Sequence, residues 1–161
     1  MFAELKKNKI MVVVFKKIKI TAVLVSFIVF AVASIAGNYV RTNFILKKQV
    51  KIYVIQNMPS DLSGEERKEK AESLYFEFMG KPMQRATALG ILLVAFLVSG
   101  YAAGTMSDHH INAVLAAIAA ALLFAFKMNS VIYWVTILIG LGFSLAGSKI
   151  AFYRKQRMNR G

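Results

Sequence analysis

The residues with the richest chemistry in this chain are Asp108, His109 and His110, three consecutive side chains of metal-ligand type. A carboxylate and two imidazoles could hold a divalent cation or pass protons. Their spacing argues against a shared ion, because adjacent histidines on a helix point about 100° apart. The chain has 2 histidines and 0 cysteines, so neither a further imidazole nor a thiolate can complete a four-ligand site. Asp108 is therefore read as the N-cap of the next helix, and the histidines as part of a polar turn. No metal and no cofactor is expected.

Other catalytic arrangements are equally thin. Lack of cysteine removes disulfides, iron–sulfur clusters, thiolate nucleophiles and palmitoylation. The sequence offers no Ser-His-Asp arrangement, no phosphate-binding glycine loop and no paired carboxylates, so an enzyme is not expected.

The elements that carry these residues are set by hydropathy. Of 161 residues 57% are hydrophobic, and mean hydropathy is +0.54. The apolar residues gather into four blocks with the charge between them. Uncharged runs cover Ile20 to Val40, Ala86 to Ser107 and Met128 to Ser148. Each can cross about 30 Å of hydrocarbon at about 1.5 Å per residue. A fourth run, Ile111 to Phe126, is shorter, and a start at Asp108 would lengthen it by almost a turn. The expected fold is all-α: an integral membrane four-helix bundle with helices at 20–40, 86–107, 108–126 and 128–150. A basic tail precedes it at 1–19, another follows at 151–161, and a loop of 41–85 lies between helices 1 and 2.

Ala31-Val32-Ala33 has the small residues of a signal-peptide cleavage site. The segment before it is too long, and its apolar run exceeds that of a cleaved leader, so an uncleaved anchor is expected. The net charge of +13 would point to nucleic acid in a soluble chain. Beside membrane spans, Lys and Arg instead set topology and meet anionic headgroups, so no nucleic-acid partner is expected. Six basic residues in the N-terminal tail and five at the C-terminal end, Lys149 included, place both ends in the cytoplasm and the loop outside. The loop's nine basic residues, diluted by six acidic ones, weigh against that orientation. Phe2, Leu5 and Ile10 to Phe15 between lysine clusters make either a basic amphipathic segment at the headgroups or a solvated start of the chain.

Within the loop, Val50, Ile52 and Val54 alternate with Lys51, Tyr53 and Ile55, which gives 44–56 a strand pattern. A helix continuing from the first span competes with it, and Asn57-Met58-Pro59 ends either one. Ser63 with Glu66 has the form of a capping box opening a helix over 63–79, stopped by Gly80 and Pro82. Tyr75, Phe76 and Phe78 at its end suit anchoring at a membrane interface, or docking of a partner.

No Asp, Glu, Lys or Arg falls inside the four apolar blocks, which argues against ion-coupled transport. Ser26, Thr87, Ser99, Thr136 and Ser144 could line an oligomeric pore. Small residues are more regular. Gly100 and Gly104 form a G-x-x-x-G pair, followed by Ala113, Ala117 and Ala120, then by Gly140, Ser144 and Gly147. Such spacing lets helix backbones approach closely in lipid, within one chain or between copies.

The run Ser99-Gly100-Tyr101-Ala102-Ala103-Gly104, with Asn112-Ala113 after the polar turn, resembles a group of small prokaryotic four-span membrane proteins with a G-[YF]-x-A-G helix end. The resemblance is confined to these two helix ends and the turn between them. Ala113 and Ala117 stand where that group often has glycine, and the resemblance implies a fold only. The functional expectation is a non-enzymatic accessory or scaffold subunit of a multi-pass cell membrane protein, in a prokaryotic inner or cytoplasmic membrane. Its partners would be the lipid bilayer and another membrane protein or a second copy. The alternative is a small homo-oligomeric channel or holin-like pore.

Overall fold

A computed structural model of the chain describes residues 17–125 and 131–160. The N-terminal amphipathic segment falls outside them. The described residues are all-helical, with no strand among them. In order they form α1 (Ile20–Val40), a π-helical segment (Arg41–Leu46), α2 (Lys47–Asn57), α3 (Gly64–Gly80), α4 (Pro82–Met106), α5 (Ile111–Ala125) and α6 (Val131–Met158). Three helices are long and apolar enough to cross a membrane: Ile20–Asn57, Pro82–Met106 and Trp134–Met158. At 15 residues, α5 spans about 22 Å, short of a full hydrocarbon core.

The chain divides into two compact units. One comprises the described residues up to Ala33 together with those from Leu93 onward; the other is Ser34–Leu92. In the first unit the interior is small and hydroxylated. Ala22, Ser26, Ser99, Ala103, Ala113, Ala116, Ala117, Ala120 and Ser144 are fully buried. Phe30 and Phe96 are the large exceptions, with ring centroids 4.6 Å apart. Large aliphatics such as Leu24, Ile28, Val32 and Leu138 lie outside, the last 68% exposed. A water-soluble core has the opposite arrangement.

In the second unit the strand alternative for 44–56 gives way to helix. A strand must pair its backbone groups with a neighbour, whereas a helix closes those bonds within itself. From Ile20 to Asn57 the chain is one continuous helix of 38 residues, interrupted in register only by the π-helical segment. There the Lys47 amide reaches back five residues to the Thr42 carbonyl. α2 and α3 then form a hairpin. Leu74 and Phe78 are buried in it, and Phe78 lies 5.3 Å from Tyr53 between ring centroids. Of the three aromatics expected at an interface, Phe78 therefore belongs to the hairpin interior, while Tyr75 and Phe76 are exposed.

The helix expected over 63–79 is present as α3, but two expected capping bonds are not formed. Ser63 precedes α3 but makes no side-chain capping bond. Gly64, the first residue of α3, has φ +58°, outside the right-handed region that a capping box assumes for its first turn. Asp108 does not cap α5, whose first bonds run from the Asn112 and Ala113 amides to the His109 and His110 carbonyls. Its carboxylate is held by Lys155 instead. At the other end α6 continues through the residues read as a basic tail, as far as Met158.

Gly64→Ala should cost about 1–2 kcal/mol locally, because a Cβ disfavours the left-handed region. The expected readout is faster hydrogen exchange of the first-turn amides of α3. Unchanged exchange would remove the positive-φ start.

Candidate functional site

The helix-packing residues converge on a seam between α4 and α6 in the first unit. A methyl group on Gly100 would collide with the backbone carbonyl of Ser144, and one on Gly147 with the Leu97 carbonyl oxygen. At Gly104 a Cβ would stand 2.6 Å from the Ser148 carbonyl oxygen and 2.9 Å from the Ala151 methyl. Gly140 faces the Phe96 ring, where a Cβ would come within 2.5 Å. The obstructions at Gly100 and Gly147 are main-chain atoms, which cannot rotate away as a side chain can. These glycines set the distance between the helices.

Ala113 and Ala117 lie on the buried face of α5. That helix is tied to the seam by Ser144, whose hydroxyl donates to the Ala113 carbonyl at 3.0 Å. Ser99 donates to the Ser26 carbonyl at 2.8 Å, joining α4 to α1. Ser26 donates within its own helix to Ala22 at 2.6 Å. Three hydroxyls named above as possible pore lining are thus buried and bonded to main-chain oxygens. Thr87 is also bonded, to the Met83 carbonyl of its own helix at 2.8 Å.

The polar turn splits its three conspicuous residues. Asp108 pairs with Lys155 at 2.7 Å on the surface. The Nδ1 atom of His110 meets the Ser148 hydroxyl at 2.8 Å, and its ring lies edge-on to Phe152. His109 is exposed, with its backbone amide on the Ser107 hydroxyl. The two side chains of this turn therefore have different surroundings, one exposed and one against Ser148 and Phe152. Among the described residues no three His, Asp or Glu side chains group as metal ligands.

The central residue of the turn is Asn112, to which the sequence alone assigns no role. It is fully buried. Its amide nitrogen lies 2.6 Å from the Ser107 hydroxyl and 3.2 Å from the carbonyls of Lys17 and His109. Its Oδ1 accepts the Lys19 amide at 2.9 Å. One side chain thus joins the residues leading into α1 to the α4–α5 turn. A lone polar residue one place into an apolar run is the available signal.

Arg41 also escapes a sequence reading as a buried group, because it closes the first apolar block and reads there as a flanking charge. In the second unit it is 8% exposed, and one guanidinium nitrogen donates to the Gln84 carbonyl at 2.9 Å. Its Nε is buried without a partner. The Gln84 side chain continues the contact to Gln49 at 3.2 Å. Comparison of the chain with protein-family models, curated proteins and solved structures gives no match.

Gly100→Ala and Gly147→Ala should each lower the melting midpoint of the purified chain in detergent, at a cost of about 1–3 kcal/mol. Gly142→Ala is the control, because nothing lies within 4 Å of its added methyl. Equal midpoints for all three variants would remove the seam as a packing determinant.

The Asp108 carboxyl is held below its ordinary value by its hydrogen bond from Lys155 and then by the charge of that lysine. A depressed carboxyl contributes stability above the ordinary carboxylate range, and loses it as pH falls through the lowered folded-state value. Carbon NMR of Asp108 should show a midpoint below that of a free aspartate, rising in Lys155→Gln. An unchanged midpoint in that variant would remove the pairing.

Proposed function

We propose that the protein is a multi-pass cell membrane protein of four spans, with both termini on the cytoplasmic side, acting as a non-enzymatic accessory or scaffold subunit. The observation that carries the membrane part is the inverted burial of the first unit. Ser26, Ser99 and Ser144 are fully buried while Leu24, Ile28, Val32 and Leu138 face outward. That outer surface is costly in water and at no disadvantage among lipid chains, where close packing of small residues supplies helix association. The fourth crossing is α5. Its Ala-rich face is buried, Ile118 and Leu122 are exposed, and a locally thinned bilayer accommodates its short length.

The accessory reading is favoured over the pore by where the hydroxyls go. A water-filled path needs polar groups that face water, and Ser26, Ser99 and Ser144 are bonded to main-chain oxygens inside a single chain. The surfaces left for a partner are the α2–α3 hairpin, with exposed Tyr75 and Phe76, and the outer faces of the spans.

Because the chain has no cysteine, single cysteines report sidedness without background. Asp61→Cys and Asn159→Cys should react with a membrane-impermeant maleimide from opposite faces of sealed vesicles. Reaction from the same face would overturn the four-span topology. For function, the deciding experiment is mild extraction from native membranes, followed by cross-linking and mass determination. A discrete complex with a second protein is expected. A homo-oligomer of fixed size would replace the accessory reading with the pore.

A further inference from the structure

The second unit contains a groove of about 680 Å³ between the π-helical segment with α2 and the facing side of α3. That size lies within the range of small-molecule sites. Three cations line it, Arg41, Lys47 and Lys51, and no carboxylate does. Among the described residues the only ion pair is Lys155 with Asp108, so none of the three is neutralised by an acid. Arg41 is the deep one: it is more than nine-tenths buried, and its Nε has no hydrogen-bond partner. A buried guanidinium held only by a neutral carbonyl keeps a large unmet demand for negative charge.

The π-helical segment brings this about. In an α-helix, residues five apart point well away from one another around the axis, since five steps overshoot a single turn. Here Arg41 and Leu46, five apart, are both buried and both line the groove. The widened turn thus carries a guanidinium inward that regular winding would direct elsewhere. Such segments recur at functional sites.

The geometry points to an anionic phospholipid as the occupant, with its phosphodiester on Arg41, Lys47 and Lys51 and an acyl chain along the rest of the groove. Charge complementarity calls for an anion, and the remaining walls decide which kind. Leu46, Val50, Val54 and Met79 extend the lining well past the needs of a bare phosphate. Arg41 also follows directly on the uncharged run Ile20–Val40, which places it where hydrocarbon gives way to headgroups. Exposed Lys47 and Lys51 are one helical turn apart, so both reach the same side of α2. This inference rests on the membrane reading above; flotation of the intact chain with liposomes tests that reading separately and does not depend on the groove.

The test uses the full chain in micelles holding equal amounts of phosphatidylglycerol and phosphatidylcholine with the same acyl chains, read by native mass spectrometry. One retained phosphatidylglycerol is expected, favoured at least tenfold over phosphatidylcholine. Lys47→Gln with Lys51→Gln should abolish the preference. Because both lysines are exposed, that variant tests the site even if Arg41→Gln, which also breaks the bond to Gln84, fails to fold. Lys48→Gln with Lys70→Gln removes the same charge away from the lining and should leave the preference intact. Equal retention of the two lipids, an equal loss in the Lys48 and Lys70 variant, or displacement by excess inorganic phosphate would each overturn the proposal.

Discussion

At Gly100 and Gly147 the main chains of α4 and α6 approach so closely that neither helix leaves room for a Cβ at those positions. Nearly everything else in the first unit follows from that spacing. Helices this near leave little room for large side chains, so most residues between them are Ala, Ser and Gly, with the Phe96 ring seated against Gly140. Small side chains leave main-chain carbonyls close to the neighbouring helix, and hydroxyls then bridge to them. Ser144 reaches the Ala113 carbonyl of α5 in this way, and Ser99 reaches the Ser26 carbonyl of α1. Dispersion between well-fitted surfaces, supplemented by these bonds, can hold helices together where lipid is the solvent. The large aliphatics, excluded from the interior, form the outer surface.

Other parts of the structure are secured differently. At the α4–α5 turn, Asn112 gathers four hydrogen-bond contacts in a buried position, which ties the start of α1 to the turn. Nearby, Asp108 and Lys155 make a surface pair that contributes little, as exposed pairs generally do. The hairpin of α2 and α3 has another basis again. Tyr53 joins Glu77 through its hydroxyl at 2.6 Å, stacks near Phe78, and receives the Lys81 ammonium 3.7 Å from its ring centre. A hydrogen bond, an aromatic pair and a cation over a ring thus hold this hairpin together. The second unit is therefore governed by aromatic and charged pairs, in contrast to the small-residue packing of the first.

One departure from regular geometry links that hairpin to the apolar part of its helix. The π-helical segment follows directly on the last uncharged residue of α1 and changes which side chains face inward. At this position many membrane helices carry an exposed flanking charge. Here the cation is instead buried beside Gln84, whose carbonyl it meets.

Composition and the four apolar blocks suffice to mark at least three helices long and apolar enough to cross a membrane, because hydropathy runs of that length are a one-dimensional property. The i, i+4 spacing of Gly100 and Gly104 likewise marks a small helix face before any partner is known. Partnership is a different matter, since which helix lies against Gly100 depends on positions far away in the chain. The capping bonds suggested at Ser63 and Asp108 do not form, for a related reason. A local pattern competes with a positive φ in one case, and with a lysine 47 residues away in the other. The strand pattern at 44–56 is legible but cannot be decided locally, since a strand exists only where a partner strand is supplied. Only the tertiary structure decided that Arg41 is buried: periodicity assumes a constant turn, and a single π-helical segment breaks that assumption at this residue.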